Sequence, residues 1–328
     1  MPATRPSARV AAATVLVVVA AVGAGLWWAL GRDDPDRDCA GLRGDDRVRT
    51  VLGATWRSDL PCGELADGLR KATTGGQPGT HTLEQARAMR TVLLAVAARP
   101  DHRVHPDVRG PLAAALADYA ADTHAVLTGI NDTYLTHDAA DADAWQDGGG
   151  VHVAVPKNQL IGVLRGLSED PAAYAGLRAA DLRQGAAGFA AIGADPVGAV
   201  ITDPLSRAAA PAGVYDGIAD DALRGRDGKA RIAWQEAVLR GLAPSGDRPA
   251  FTADPTGSLT QGWLQQVGSA PDRFARLRDQ ASDLVGLWAE AAHQDKDRIG
   301  LPALQDRART TTDRERGEAA SQLKQAGS

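Results

Sequence analysis

The longest apolar stretch of the chain lies near its N terminus and limits the topologies open to this protein. From Val10 to Leu30 there are 21 consecutive residues without a charge. As an α-helix, such a run is about 31 Å long and matches the hydrocarbon thickness of a bilayer. It ends with Trp27 and Trp28, and paired indoles there are typical of a membrane–water interface. The run therefore predicts one transmembrane helix, by which the protein binds the membrane.

The charges on either side of this run predict its orientation. Arg5 and Arg9 precede it, whereas the spacer at 31–38 carries four aspartates and only two arginines. Positively charged flanks of a membrane helix tend to stay in the cytoplasm. We therefore expect residues 1–9 to be cytoplasmic and everything after Leu30 to lie outside the cytoplasm, as in a single-pass protein of the cell membrane.

A cleaved secretory signal is the alternative interpretation of the same segment. Val22 and Ala24 would be the small residues before the cleavage point, and the mature chain would begin near Gly25. However, the apolar run is longer than the roughly 7–15 residues usual for a signal peptide, and the two tryptophans would lie beyond the cut. The sequence favours the uncleaved anchor.

The two cysteines, Cys39 and Cys62, both lie on the side predicted to be exported. An even number of cysteines in an oxidising compartment indicates a disulfide, which would stabilise a loop of this length by about 3 kcal/mol. Two unpaired thiols are the alternative. A structural zinc site is not expected from these residues alone, because it needs four ligands.

Composition indicates the fold class and excludes one kind of partner. Without the two N-terminal arginines, 34 basic residues face 41 acidic ones, so the exported part has a net charge of −7. This balance provides no cationic surface for nucleic acid. Aromatic residues make up only 4% of the chain and alanine is abundant, which favours closely packed helices. We predict a mainly α fold.

The exported region is expected to form a helical bundle of one or two subdomains. The first, with the disulfide, covers 39–136, and the second covers 151–300. They are separated by an acidic, glycine-rich linker at 137–150 and followed by a charged, partly disordered tail at 301–328.

Several local patterns predict individual elements. Thr82 and Gln85 form a capping box at the start of one helix, and a second helix after Pro106 is expected to continue to Ile130 and pack antiparallel to the first. Residues 151–155 alternate like a strand but have no evident partner, so we expect an extended lead-in to the second subdomain.

Two stretches of the chain resemble a known family. They are marked by Tyr119, Asp122 and His124, then by Leu160, Val163, Leu164, Leu167, Ser168, Asp170, Pro171, Tyr174 and Leu177, with Gly213, Asp216 and Gly217 further on. This pattern resembles a poorly characterised actinobacterial helical domain in proteins linked to type VII secretion and to polymorphic toxins. The resemblance implies export and protein–protein contact, not a reaction. We expect this chain to differ from that family by its own membrane anchor and by the lack of an appended toxin module.

Two polar clusters are candidates for a metal site. His102 and His105, with flanking aspartates, have ligand chemistry suited to zinc, but the His-Glu-x-x-His helix of metalloproteases is absent and a solvated turn is the alternative. Asp141 and Asp143, with Asp138 and Asp147, could supply oxygen ligands to calcium. Their spacing does not match an EF-hand, and an acidic linker is the alternative.

No catalytic or cofactor-binding motif is present. Ser168 lacks the Gly-x-Ser-x-Gly context of a nucleophile, and there is no phosphate-binding glycine loop. The sequence therefore favours a membrane-anchored, non-catalytic interaction or scaffold protein of the cell envelope, accessory to a secretion or assembly machine. The alternatives are an exported hydrolase or metal-dependent enzyme that uses His102 and His105 or the acidic segment, and an anchored ligand or ion sensor.

Overall fold

Helices dominate the part of the chain that the computed structural model describes, which is residues 35–99, 102–139, 141–193, 196 and 198–326. The mainly α fold is thus confirmed. The helices are Pro35–Gly44 (α1), Asp46–Leu52 (α2), Cys62–Thr73 (α3), Leu83–Ala97 (α4), Pro106–Asp118 (α5), Ala120–Thr128 (α6), Asp132–His137 (α7), Lys157–Leu167 (α8), Pro171–Ala190 (α9), Ala199–Leu223 (α10), Gly228–Gly241 (α11), Pro255–Ser269 (α12), Arg273–Arg276 (α13), Gln280–Ala291 (α14) and Leu301–Ala326 (α15). The strands are Trp145–Asp147 (β1) and Gly150–His152 (β2).

The predicted transmembrane helix from Val10 to Leu30 lies outside the described residues, and so does the cytoplasmic segment before it. Within the described ranges, no helix is both long enough and apolar enough to cross a bilayer.

The disulfide between Cys39 and Cys62 is present and joins α1 to the first residue of α3. The two Cα atoms are 5.9 Å apart, and the Cys39 side chain is buried in the core. The pairing predicted from the cysteine count is therefore confirmed.

The capping box at Thr82 is also confirmed, since its hydroxyl accepts the Gln85 N–H and the Gln85 side chain accepts the Thr82 N–H. The antiparallel pair predicted from α4 and the following helix is wrong, because α4 and α5 make few contacts with each other and each packs against α3. The long helix predicted after Pro106 is interrupted at Tyr119. There the buried phenol hydroxyl donates to the carbonyl oxygen of Thr73 in α3.

Two segments differ in helix continuity from what their residues suggest. Pro204 and Pro211 favour a break or a kink, yet both lie inside α10, which runs from Ala199 to Leu223. The apolar residues between Phe274 and Trp288 are spaced as in one helix, but a 3₁₀ turn at Leu277–Asp279 divides the segment into α13 and α14.

Helix α15 replaces the partly disordered tail predicted for 301–328, so that prediction is wrong for the described residues up to 326. It lies along α10 and is also packed against α14. Its buried positions follow one helical face, namely Leu301, Leu304, Ala308, Thr312, Glu315, Ala319 and Leu323. Between Leu304 and Leu323 this face carries only small or polar residues, so the charged middle of the segment shows no apolar periodicity.

The described residues from Pro35 onward form one compact unit. Helix α5 packs against α9, α4 against α8, and α6 against α10, so elements of the two predicted subdomains share one hydrophobic core. The expected division into 39–136 and 151–300 is therefore not observed.

The predicted linker at 137–150 contains the partner strand that the sequence analysis did not find. Strand β1 pairs antiparallel with β2, with Trp145 opposite His152. The Asp147 carboxylate accepts the N–H of Gly149 at 2.7 Å and thereby stabilises the turn between the strands. The extended lead-in is thus the second strand of a short hairpin.

Candidate functional site

His102 and His105 make separate structural contacts. The Nδ1 atom of His105 accepts the backbone N–H of Asp107 at 3.1 Å, so this ring caps the N terminus of α5. The ring of His102 lies over α8, where a Cβ atom on Gly162 would be 2.5 Å from it. Within the described ranges, no group of three or more His, Cys, Asp or Glu side chains could hold a metal ion.

The aspartates of the acidic segment are likewise engaged in different places. Asp143 accepts hydrogen bonds from the Arg87 guanidinium and from the N–H of Ala144, both at 2.8 Å. Asp147 supports the β-turn, whereas Asp141 is exposed to solvent. The structure does not bring these carboxylates together around one point.

A different set of residues converges around the β-hairpin, and we call it the His152 cluster: Asp122, Tyr134, Trp145, Asp147 and His152. The His152 Nδ1 atom is 3.0 Å from Asp122 Oδ1, and its Nε2 atom is 3.1 Å from Asp147 Oδ1. The Tyr134 hydroxyl donates to the same Asp122 oxygen. The other Asp122 oxygen accepts the N–H of Val153 at 3.3 Å. One buried carboxylate of α6 thus connects α7 and β2, and His152 links it to Asp147 of β1.

The electrostatics of the cluster favour a protonated histidine. A carboxylate can only accept hydrogen bonds, so two carboxylate partners require an N–H on both ring nitrogens. Burial disfavours the charged ring, but the hydrogen bonds and charges of Asp122 and Asp147 outweigh it and raise the pKa of His152 above its usual value. Burial also raises the pKa of Asp122, against the hydrogen bonds from Tyr134 and His152.

The pKa of Asp147 is shifted the other way. The hydrogen bond from the N–H of Gly149 lowers it, and the bond from His152 acts in the same direction. The exposed Asp147 is therefore a ready acceptor for the imidazolium of His152.

This geometry suits a structural connection better than acid–base chemistry. A general base needs a free ring nitrogen beside a nucleophile, whereas both nitrogens of His152 face carboxylates. The proton of the Tyr134 hydroxyl is directed at Asp122, and burial raises the pKa of this phenol.

Aromatic contacts strengthen the connection between α7 and the hairpin. The Trp145 ring stacks on His137 with centroids 4.1 Å apart and meets the edge of Tyr134 at 5.0 Å. Offset and edge-to-face contacts of this kind each contribute roughly 0.5–1.5 kcal/mol beyond the buried area. The hairpin is therefore fixed by ring packing as well as by the His152 cluster.

Next to the cluster lies a cavity of about 300 Å³ between the end of α6, α7 and α15. We call it the α6–α15 groove. Its lining includes Ile130, Asn131, Tyr134, Leu135, Lys157 and Arg314. Ile130 and Leu135 have large apolar side chains that remain exposed, with 54% and 48% of their surface accessible to solvent. Tyr134 belongs to both the groove and the His152 cluster, so the two features are continuous.

The α15 side of the groove carries a group of charges centred on Glu315. One carboxylate oxygen is 2.9 Å from the Lys157 ammonium, and the other is 2.8 Å from the Arg314 guanidinium. The Glu315 side chain is only 7% exposed, whereas that of Arg314 is 62% exposed. A buried carboxylate thus holds two cations, one of which faces solvent.

The other residues in the quoted family pattern have structural contacts. The hydroxyl of Ser168 donates to the Leu164 carbonyl inside the core, and Asp170 caps the first turn of α9. His124 Nδ1 is 2.7 Å from the carboxylate of Asp181 in the α6–α9 contact. Asp122 belongs to the same pattern, but nothing in the sequence connects it to Tyr134 and His152, which come from other elements.

No protein-family model, curated protein or solved structure matches this chain. The resemblance to the actinobacterial helical domain therefore stays a prediction from the quoted residues.

Proposed function

We propose that this chain is a membrane-anchored, extracytoplasmic interaction protein of the cell envelope, accessory to a secretion or assembly machine, and that its role is not catalytic. The α6–α15 groove is the proposed binding surface. The observation that carries this proposal is the exposure of Ile130 and Leu135 beside one cavity, since exposed apolar groups with a polar rim are typical of interaction sites.

The location is supported by two independent features. The Cys39–Cys62 disulfide fits an oxidising compartment, because cytosolic reductants keep most thiols reduced. The uncharged run from Val10 to Leu30 has the length and flanking charges of a signal anchor. Together they favour a folded body outside the cytoplasm and a tether at its N terminus.

The non-catalytic role is supported by how the polar side chains are used. His152 is held between two carboxylates, and His105 caps a helix. The hydrolase alternative would require one of these rings to be released and to meet a nucleophile. No specific contact favours that rearrangement.

The test is complementation of a deletion strain with groove variants of the full chain. Leu135→Asp should abolish function while expression, membrane retention and thermal unfolding stay as in wild type. Ile232→Asp is a matched control, because Ile232 is 57% exposed and does not line the groove. Equal loss with both variants, or full function with Leu135→Asp, would contradict the proposed binding surface.

Catalysis is tested separately with the full-length protein. If the body is an interaction module, His152→Gln should retain function wherever it remains folded. A folded His152→Gln variant that localises correctly but fails to complement would support the enzyme alternative.

A further inference from the structure

We propose that the α6–α15 groove binds a partner polypeptide through one large apolar side chain and a neighbouring acidic side chain. The apolar group enters the cavity between Ile130 and Leu135, and the acidic group pairs with Arg314. This inference rests on the proposed function, because it assigns a ligand chemistry to the same groove.

The apolar part of the proposal follows from how exposed side chains are distributed. Four large hydrophobic side chains are exposed among the described residues, and Ile130 and Leu135 both line this one cavity. A volume of about 300 Å³ is at the lower limit of ligand pockets, which span roughly 300–1,000 Å³. It therefore suits one leucine- or phenylalanine-sized side chain better than a larger cofactor.

The acidic part follows from the charges on the α15 wall. Lys157 and Arg314 share the single carboxylate of Glu315, which leaves one positive charge in excess there. The part of the lining that follows α7 carries Asp138. A ligand carboxylate is therefore attracted to Arg314 on α15 and repelled by Asp138, so the ligand has one favoured orientation.

Arg314 is the group best placed to receive that carboxylate. The Arg314 side chain is 62% exposed, whereas its partner Glu315 is buried. A guanidinium presents five N–H donors and can bind a second carboxylate while it keeps the first. Arginine and tyrosine are also enriched among residues that dominate protein interfaces, and Tyr134 lies in the same groove. These features favour a polypeptide over a small apolar molecule.

Dipeptide probes can test the ligand chemistry with the purified full-length chain in detergent micelles. The probes are N-acetyl-Leu-Glu-amide, N-acetyl-Leu-Lys-amide and N-acetyl-Ala-Glu-amide, observed by NMR of labelled isoleucine, leucine and valine methyl groups. The Leu-Glu probe should shift the methyl signals of Ile130 and Leu135 and bind about two- to fivefold more tightly than Leu-Lys, as expected for one exposed ion pair. Ala-Glu should bind more weakly still.

Charge reversal tests the contribution of Arg314. Arg314→Glu should reverse the preference between the Leu-Glu and Leu-Lys probes. Arg224→Glu should leave it unchanged, and it is a suitable control because Arg224 is an exposed arginine that pairs with Asp221 away from the groove.

Several results would overturn the inference. These are equal binding of the three probes, shifts at Val200 or Ile232 in place of the groove methyls, and an unchanged preference in Arg314→Glu. A concentration-dependent dimer in sedimentation equilibrium that is lost in Leu135→Asp would also overturn it, because the occupant would then be a second copy of this chain.

Photocrosslinking in the producing cells distinguishes failure of this inference from failure of the proposed function. The crosslinking amino acid is placed at 135, with 232 as the control position. If a protein is crosslinked from position 135 but not from position 232, and the dipeptides do not bind, the interaction role stands and the ligand chemistry is wrong. If no protein is crosslinked from either position and the dipeptides do not bind, both proposals are wrong.

Discussion

A Cβ atom on Gly217 would lie only 2.9 Å from the Cβ atom of Ala319, so α10 and α15 approach each other at a point that excludes even a methyl group. One turn earlier, a Cβ atom on Gly213 would lie 2.3 Å from the carbonyl oxygen of Thr312. Backbone atoms cannot rotate away as a flexible side chain can. The close contact therefore depends on two glycines four residues apart, a spacing that places them on one helical face.

This relationship predicts that a single methyl group weakens the docking of α15. Gly213→Ala should destabilise the protein by about 1–3 kcal/mol, the usual effect of overpacking, even though alanine is the better helix former. Gly176→Ala is the matched control, because Gly176 lies inside α9 and, apart from its own helix backbone, no atom of the described residues is within 4 Å of an added Cβ. That variant should instead gain up to about 1 kcal/mol.

Urea unfolding of the two variants measures both changes. Because Arg314 and Glu315 of α15 line the groove, Gly213→Ala should also reduce binding of the Leu-Glu probe at temperatures where the protein remains folded. If the two alanine substitutions changed the free energy of unfolding equally, α10 and α15 would be able to move apart and make room for the added methyl group.

Features that depend on neighbouring residues were accessible from the sequence. The Thr82 capping box and the Asp170 N-cap each involve residues two or three positions apart, so their patterns are visible in a short window. The disulfide was accessible for another reason, since two cysteines leave only one pairing. The helical fold class was accessible from composition, because alanine is abundant and aromatic residues are few.

Features that depend on distant elements were not accessible. In the His152 cluster, Asp122 comes from α6, Tyr134 from α7 and His152 from β2, and none of the intervening spacings is diagnostic. The docking of α15 was missed because the middle of its contact face, between Leu304 and Leu323, carries only small and polar residues such as Ala308 and Thr312. A search for large apolar periodicity cannot detect a helix held by close backbone contact.

A buried amide in α14 provides a second prediction about stability. The Gln280 side chain is 1% exposed, and neither its Oε1 nor its Nε2 atom has a hydrogen-bond partner among the described residues. Burying such a group costs about 1–3 kcal/mol in folded proteins. Gln280→Met keeps the approximate shape and removes both polar atoms, so it should stabilise the protein by about 1–2 kcal/mol.

Gln305→Met is the control for this substitution, because the Gln305 amide donates to the Ser282 carbonyl at 3.3 Å. Removal of that donor should give no stabilisation. Thermal unfolding of both variants distinguishes the cases, and a destabilised Gln280→Met protein would show that this amide forms hydrogen bonds through water.

The capping role of His105 leads to a third prediction. Asparagine is a good N-cap acceptor, whereas alanine has no side-chain acceptor for the Asp107 N–H. His105→Ala should therefore cost about 1 kcal/mol, and His105→Asn should retain most of the stability. Both variants should complement a deletion strain at temperatures where they are folded. Loss of function in a stable His105→Asn protein would favour the metal-dependent enzyme alternative.

The protonation of His152 provides the last prediction, on pH dependence. Its pKa in the folded protein is raised by the carboxylates of Asp122 and Asp147, despite the opposing effect of burial. A group whose pKa is higher in the folded state stabilises the fold fully below its unfolded pKa of about 6.5. That stabilisation is lost as the pH rises through the folded-state value. Since the ring is partly exposed, solvent screening should limit the change to less than about 1 kcal/mol.

His152→Gln separates this contribution from other titrations. Glutamine retains a hydrogen-bond donor for Asp122 but carries no charge at any pH, so its stability deficit relative to wild type should be largest near pH 6 and should shrink toward pH 8.5. Urea unfolding midpoints measured across this range give the difference directly. A deficit that stays constant or grows with pH would mean that His152 is neutral in the folded protein. The cluster would then hold the hairpin through ring packing and the Tyr134–Asp122 hydrogen bond, without an imidazolium between the two carboxylates.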